Sequence, residues 1–401
     1  MRIVLADYAG HAFPVELSRE LARRGYIVLH LYFAEFQSPK GQLIIQPDDP
    51  ANLTIESISL GKPFTKHDLI RRRGQEIEIG RRFAARAGAF GGEVVIGCNM
   101  PLDTVSRLQR EAAKNSRRFV FWQQDIYSIA IEHILSRKWG PIGSLIGRYY
   151  RTIERRVLRA SDAVVVISDD FLTYLCEYFD VDESRIHVVE NWAPLGEITP
   201  RPKDNPWAMA HGLAGQSVVL YSGTLGMKHN PALILAVAET LRARQATQIV
   251  VASEGPGADW LRHEAEMRGL TGLKVLGFQP FDKYPDMLGS ADVLLAILEP
   301  DAGAFCVPSK VLSYLCAARP VAMSGPLDNL SARILQQCGG GVMVAAGDGA
   351  GLAAAVREFL DSPARRERAA QGGRAYAETH FEVANKADRF EAILREISGS
   401  P

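Results

Sequence analysis

The sequence predicts two Rossmann-like, doubly wound α/β domains facing a central cleft, and three observations carry that expectation. Short, uniformly apolar, β-branched runs alternate with helical patterns along the chain. Such runs mark strands buried on both faces, as in a parallel sheet covered by helices. The pattern also restarts, since SVVLYSG at 217–223 repeats the strand-then-glycine opening of MRIVLADYAG at 1–10. Between the halves, Pro194–Trp207 carries four prolines within thirteen residues, which neither a helix nor a central strand accommodates.

In the first half the expected strands are Ile3–Ala6, Ile27–Phe33, Val94–Gly97, Phe119–Trp122, Ala163–Ile167 and His187–Val189. In the second they are Val218–Tyr221, Gln248–Ala252, Lys274–Leu276, Val293–Ile297, Pro320–Met323 and Gly341–Val344. The domains are placed at 1–196 and 197–379, with Pro194–Trp207 as linker and hinge. The terminal segment 380–401, whose amphipathic part is Val383–Ile397, is expected to pack back on the first domain.

The totals narrow the function classes. At 401 residues and 47% hydrophobic, each half can bury a full core. Lys plus Arg equals Asp plus Glu at 46 each, which argues against a dedicated nucleic-acid binder. The five cysteines, Cys98, Cys176, Cys306, Cys316 and Cys338, are scattered without CxxC spacing. They read as reduced core thiols, not a zinc site. The start of the chain lacks the features of a signal peptide, and no apolar run approaches the ~18 residues that span a bilayer. A cytoplasmic protein is expected, with membrane-surface contact left open.

Ligands of open α/β sheets bind at the carboxyl ends of the strands, so the loops after strands are the places to search. Ser222-Gly223-Thr224-Leu225-Gly226-Met227-Lys228 follows Val218–Tyr221. Its glycines let the backbone approach an anion, the next helix offers free N–H groups, and Lys228 adds a charge. A plain turn with a solvated lysine fits the same spacing. In Phe305-Cys306-Val307-Pro308-Ser309-Lys310, Pro308 and Ser309 suit a helix start. Lys310 then opposes the helix dipole at a cost of roughly 0.3–1 kcal/mol. A neighbouring anion explains that cost; the alternative is an accidental surface lysine.

Glu254-Gly255-Pro256-Gly257 lacks a third glycine in dinucleotide register and is a weak signal. At Gly277-Phe278-Gln279-Pro280 a backbone edge could read a nucleobase with Phe278 as a wall, or Phe278 could cap the core. In the first half, Tyr8-Ala9-Gly10-His11 and Trp122-Gln123-Gln124-Asp125 follow strands and are placed opposite the phosphate loops. A loop histidine and a strand-end aspartate also have ordinary structural uses. Asp180-Val181-Asp182 has the spacing of a metal-binding DxD, but it joins helix to strand, at the wrong edge of the sheet.

Ser136–Arg159 is rich in Arg and Lys against the single Glu154, with Trp139, Ile142, Leu145, Ile146, Tyr149 and Tyr150 interleaved. It suits a helix lying on an anionic bilayer, or an amphipathic helix packed on the sheet with a solvated basic face.

Taken in order, Ser222–Lys228, Glu254–Gly257, Leu276–Pro280, Val307-Pro308-Ser309-Lys310 and Arg319-Pro320-Val321 resemble the retaining glycosyltransferases of the GT-B fold, family four. With Glu190-Asn191-Trp192, they are similar to the branch that builds bacterial O-antigen, capsule and colanic acid. The resemblance covers nearly the whole chain and is stronger in the second half.

It implies transfer from a UDP- or GDP-sugar to a saccharide acceptor, lipid-linked in this branch, without a metal or other cofactor. By the same resemblance the second domain binds the donor and the first the acceptor. Lys228 matches the lysine on the donor diphosphate and Gly223 the glycine before it. Phe278 and Gln279 lie where the backbone holds the base, and Ser309, Lys310 and Val311 open the phosphate-facing helix. Gly10, Thr224, Glu254 and Ser313 complete the expected donor site, with Asp125, Lys228 and His11 as catalytic candidates. Asp125 or His11 would position the acceptor. The sequence departs from the family at Phe305 and Ser313, where two glutamates are usual. It departs also at Thr224, usually arginine, and around Gln124–Asp125, where a histidine is common. A sugar-nucleotide epimerase and a non-catalytic nucleotide-sugar-binding partner are the rival readings; the first lacks a cluster of first-domain carboxylates.

Overall fold

The computed structural model describes residues 1–38, 40–65, 68–225, 229–300 and 309–399. The chain divides into two compact units: Met1–Asn191 with Val383–Pro401, and Trp192–Glu382. The first change of unit falls five residues before the expected 196 and the second three after the expected 379.

Unit 1 is a seven-stranded sheet in the order β3-β2-β1-β4-β5-β6-β7. Its strands are β1 Arg2–Asp7, β2 Ile27–Phe33, β3 Leu53–Ile58, β4 Val94–Cys98, β5 Arg118–Trp122, β6 Ala163–Val166 and β7 Ile186–Val188. All pairings are parallel. The connections are chiefly helical: α1 Ala12–Arg23, α2 Leu69–Phe90, α3 Leu102–Lys114, α4 Tyr127–Trp139 and α5 Pro141–Ala160. The central strands β1 and β4 are almost wholly buried, which is why their apolar runs are unbroken.

The sequence reading missed β3. Its residues, LTIESI, alternate between apolar and polar, and it lies at the sheet edge with most side chains partly exposed. An edge strand covered on one face lacks the continuous apolar run by which the others are recognised.

Unit 2 has six parallel strands in the order β10-β9-β8-β11-β12-β13. They are β8 Ser217–Ser222, β9 Thr247–Ala252, β10 Leu273–Leu276, β11 Val293–Ile297, β12 Val321–Gly325 and β13 Gly341–Ala345. The core joins Val219, Tyr221, Ile249, Val251, Leu295 and Ile297 from the sheet to Ile234, Leu261, Leu352 and Phe359 from the covering helices.

The proline-rich stretch is not a free linker. Arg374 donates to the Ile198 carbonyl at 3.3 Å and Arg319 to the Arg201 carbonyl at 3.0 Å. Lys203 pairs with Asp292 at 2.6 Å, and Asn205 donates to the Asp286 carbonyl at 2.7 Å. With Ile198 and Trp207 buried, 198–207 is strapped to unit 2. The prolines serve an extended conformation whose carbonyls are satisfied by arginines of that unit.

The helix Val383–Ser398 belongs to unit 1, as expected. It buries Ala387, Phe390, Ile393 and Leu394, a helical spacing. Phe390 meets Trp122 edge-on at 4.7 Å. Arg24, closing α1, reaches Asp388 at 2.6 Å and Glu391 at 2.7 Å. Phe390 is wholly buried, so Phe390→Ala is expected to destabilise unit 1 by about 3–5 kcal/mol. Urea unfolding followed by tryptophan fluorescence, in a background where Trp122 is the one tryptophan kept of the five, checks this, and a loss under about 1 kcal/mol would mean that the helix is not part of the core.

Candidate functional site

A doubly wound sheet opens a crevice at its carboxyl edge where the strand order reverses, because the connections on either side leave in opposite directions. That point lies between β8 and β11 in unit 2, and between β1 and β4 in unit 1.

In unit 2 the turn after β8 is anchored from several sides. Gly223 has φ +122°, a conformation open to glycine, and its N–H donates to the Ala252 carbonyl at 3.1 Å. The Tyr221 phenol donates to the Thr224 carbonyl at 2.9 Å, and Leu225 N–H donates to Ser253 Oγ at 3.2 Å. Lys310 comes from the start of the helix Ser309–Cys316. Its Nζ donates to Tyr221 Oη at 2.6 Å and lies 4.2 Å from the ring centroid. A side chain at Gly223 would meet the lysine, since a Cβ there would lie 3.5 Å from Cε and 3.7 Å from Nζ. The ammonium is therefore held against the glycine turn.

The next two loops close on the same turn. A Cβ on Gly257 would stand 2.8 Å from the Leu225 carbonyl oxygen, so the helix Pro256–Met267 starts hard against the first loop. Glu254 accepts from Phe278 N–H at 3.1 Å, and a Cβ on Gly277 would lie 3.2 Å from the same carboxylate oxygen. Gly223, Thr224, Glu254, Phe278 and Lys310 thus gather at one edge of one sheet.

Other expected donor contacts have different employment. Gln279 accepts from Trp207 Nε1 at 3.0 Å and donates to the Gly277 carbonyl, so its side chain fastens two loops. Val311 is wholly buried, and its side chain is core. Ser313 hydrogen-bonds the phenol of the partly exposed Tyr284, whose pKa desolvation pushes up to about 12. Ser309 is exposed at the helix start. The helix after the glycine turn begins at Pro231, where Asn230 already caps Ala232 N–H at 3.0 Å; its first amide is not free. Lys228, Phe305, Cys306, Val307 and Pro308 lie outside the described residues.

In unit 1 the turn after β1 is built around Asp7. Its buried carboxylate accepts from Ala9 N–H at 3.1 Å and from His11 N–H at 2.7 Å. Burial pushes its pKa up to about 7, against these donors and the nearby Lys40 charge. The segment after β2 covers the turn. Ser38 Oγ and Lys40 Nζ both donate to the Ala9 carbonyl, at 2.6 and 3.0 Å, and Gly41 N–H donates to the Gly10 carbonyl at 2.9 Å. Lys40 is itself partly desolvated, which lowers its pKa to about 8. Gly10 (φ +72°) is buried under Leu43 and Lys40, where a Cβ would come within 3.0 Å of both. The expected opening for a ligand at Gly10 is therefore filled by the chain itself. His11 opens α1, partly exposed, with its ring stacked on Phe13 at 6.0 Å.

The turn after β5 is held from α5. Glu154, fully buried, accepts from Gln123 Nε2 at 2.8 Å, Tyr127 N–H at 3.0 Å and Ser128 N–H at 2.9 Å. It caps α4 from a neighbouring helix, and burial raises its pKa to about 7. Asp125 sits in this turn, partly exposed. Asn191 donates to Gln124 Oε1 at 2.5 Å, which ties the crossover Glu190-Asn191-Trp192 to the same loop. Tyr127 Oη donates to Asn99 Oδ1 at 3.1 Å and links β4 to α4.

Sequence reasoning missed Asp7, Lys40, Asn99, Tyr127 and Glu154. Asp7 had a readable signal, a charged residue closing an otherwise apolar strand. Lys40 and Glu154 act across long sequence separations that no local pattern reports. The DxD aspartates are structural: Asp180 pairs with Arg159 at 3.2 Å and Asp182 accepts from Ser184 N–H at 3.0 Å.

Two family models match the chain, "Glycosyltransferase Family 4" over residues 13–196 and "Glycosyl transferases group 1" over 216–362. The chain belongs to the family-four glycosyltransferases. A glycogen synthase of Mycobacterium tuberculosis is 26% identical over 250 residues, covering 61% of this chain and 57% of that protein. The putative colanic acid biosynthesis glycosyl transferase WcaI of Escherichia coli is 24% identical over 176 residues, 43% of either chain. The chain thus spans about half the length of these relatives.

Among solved structures, HepE of Anabaena in complex with UDP and glucose superposes with a TM-score of 0.73 at 15% identity, over 99% of this chain and all of that one. WaaG, a glycosyltransferase involved in lipopolysaccharide biosynthesis, gives 0.69 at 16% identity over the full length of both. This likeness is one of fold.

This family member places an ionisable group of raised pKa beneath each main turn of unit 1. For Asp7 the folded pKa of about 7 exceeds the reference of 3.8, so ionisation opposes folding. Stability is expected to fall as pH rises through the window between those values. Relative to the wild type, Asp7→Asn should therefore gain stability between pH 5 and 8, although it loses the His11 N–H bond at every pH. Urea midpoints of the two proteins across that range test it; parallel curves would show that Asp7 titrates normally.

Proposed function

We propose that this protein transfers a sugar from a UDP- or GDP-sugar to a saccharide acceptor, lipid-linked, in the building of a bacterial surface polysaccharide. One observation carries the reading. In unit 2 the strand-order reversal between β8 and β11 collects a glycine turn with φ +122° and, 3.7 Å from its would-be Cβ, a lysine ammonium. A diphosphate leaving group needs backbone N–H groups and fixed cations where its charge develops. Lys310 supplies a fixed cation there, and Lys228, five residues after Gly223 in sequence, a second, without a metal. The donor is assigned to unit 2 and the acceptor to unit 1, with configuration retained as the family resemblance implies. HepE, solved with UDP and with UDP-glucose, supports a uracil nucleotide; WcaI, by its name, supports surface polysaccharide.

The donor is identified by thermal shift with UDP- and GDP-sugars, because a ligand that binds the folded state raises its melting point. Lys310→Met is expected to weaken binding of the stabilising nucleotide at least tenfold, roughly the ~1.5–3 kcal/mol of a charge-assisted bond. Lys228→Ala should abolish transfer with the fold intact. Undiminished nucleotide binding by Lys310→Met would remove the site from unit 2.

The α4–α5 hairpin supports a place on the cytoplasmic membrane face. Gly143 and Gly147 pack the helices so closely that a Cβ at either would overlap the facing backbone or side chain of α4. The packing uses the small face and leaves Ile142 and Leu145 each 66% exposed, with Trp139, Tyr149 and Ile134 also outward. Lys138 and Arg148 flank them. Apolar side chains outward beside cations suit the interface of an anionic bilayer. No helix among the described residues is long and apolar enough to cross a membrane. Co-sedimentation with phosphatidylglycerol vesicles is expected, with loss in Ile142→Glu/Leu145→Glu; equal binding to neutral phosphatidylcholine would count against the charge argument.

A further inference from the structure

Five non-glycine residues with left-handed backbone stand out among the described residues: Asn99, Ser116, Asp180, Ala246 and Ala318. Four of them lie in segments leading from helix to strand, before β5, β7, β9 and β12. There a left-handed residue is the ordinary way to end a helix, and ligands do not bind at that edge. Asn99 is the exception. It follows β4 directly, at the carboxyl edge, with φ +52°.

Its position is the strand-order reversal of unit 1. Asp7 and Cys98 are register partners across β1 and β4, and Cys98 pairs with Trp122 across β4 and β5. Asn99 is thus the next residue outward, between the turn of Tyr8–His11 and that of Gln123–Asp125. Its amide N–H reaches the Trp122 carbonyl at 3.4 Å, and the Cys98 carbonyl accepts from Tyr8 N–H at 3.2 Å.

The side chain is aimed as well as placed. Tyr127 Oη donates to Asn99 Oδ1 at 3.1 Å, which fixes the carboxamide and directs the acceptor end inward. Asn99 itself is only partly buried. The other end, Nδ2, carries two N–H donors on a partly exposed residue. A fixed amide donor in a carboxyl-edge crevice suits the lone pairs of a sugar hydroxyl.

We propose that Asn99 contacts a hydroxyl of the acceptor saccharide, with Tyr127 as the residue that orients it. The proposal rests on the assignment of the acceptor to unit 1. Neither Asn99 nor Tyr127 is called on by the donor site of unit 2.

A left-handed position offers a test that separates structure from recognition. Glycine adopts φ +52° without strain, so Asn99→Gly spares the backbone while removing the carboxamide. The protein is first saturated with the 2-fluoro analogue of whichever UDP- or GDP-sugar raises its melting point most, which occupies the donor site without reacting. A panel of octyl glycosides (gluco, galacto, manno and N-acetylglucosamino) is then titrated by saturation-transfer NMR. Asn99→Gly is expected to melt within about 3 °C of the wild type and to bind the donor analogue equally. It should bind the best glycoside at least about tenfold more weakly, the scale of one lost hydrogen bond to a ligand. Tyr127→Phe should weaken the same glycoside less, leaving the donor analogue unaffected. Unchanged glycoside affinity in a folded Asn99→Gly overturns the proposal, as does a wild type that binds the donor analogue and no glycoside. A wild type that binds no donor analogue would instead bring down the reading of unit 2, and the proposal with it.

Discussion

The reversal of strand order is the constraint on which both sites depend. Parallel strands joined by helices place every connection on one face or the other, and the hand of the crossover decides which. Where the order turns back, at β1 beside β4 and at β8 beside β11, two neighbouring strands send their chains away from each other. The carboxyl ends there are left without a covering connection. Backbone N–H groups released at such an edge need acceptors, and each unit answers differently. Unit 1 brings its own carboxylate, Asp7, under the turn. In unit 2 the Gly223 N–H is taken by the Ala252 carbonyl, no acid among the described residues is found bonded beneath the glycine turn, and a lysine stands beside it. An edge already supplied with an anion is poorly suited to bind another. An edge supplied with a cation and a glycine turn is suited to one.

The same contrast shows in the burial costs. Asp7 and Glu154 are held in surroundings that oppose their ionisation, and each is offset by backbone donors aimed at it. Lys310 avoids that cost by resting on a phenol and a ring face, and it remains partly exposed. The carboxylates of unit 1 therefore organise loops, whereas the lysine of unit 2 is held beside the glycine turn and partly exposed. Ser313, expected from the sequence at the donor site, turns its hydroxyl to Tyr284 and becomes part of the packing.

Much of this was legible in the sequence, for physical reasons that also set the limits. Strands such as VVLYS and VLLAI announce themselves because both faces are buried, and β3 does not because one face is polar. Gly223, Glu254 and Lys310 could be found because a loop after a strand is where this fold can bind anything. What the sequence could not supply was employment. Gln279 and Val311 occupy promising positions, yet one braces Trp207 and the other fills the core. Gly10 is required by Leu43 and Lys40 above it, a long-range contact that looks in sequence like a ligand loop. Asn99 passed unnoticed because its signal is a backbone angle, and no residue type alone declares one.

The helix α5 joins two features that the sequence presents as unrelated. Its first half carries Ile142, Leu145 and Tyr149 outward; its second half buries Ile153, Val157 and Leu158 and contributes Glu154 to the turn after β5. Tyr150, between the halves, donates to Asp103 at 2.9 Å, and Arg73 of α2 lies over the rings of Tyr149 and Tyr150. The helix is thus held at its middle through Tyr150 and at its inner end through Glu154. Of the groups Glu154 holds, two are the first amides of α4, the partner helix of the hairpin, and the third is the side chain of Gln123 at the end of β5. The outward surface of the hairpin and the inner turn that carries Asp125 are thus joined through the hydrogen bonds of one buried carboxylate, so that the helix with the exposed apolar face also organises the loop at the carboxyl edge.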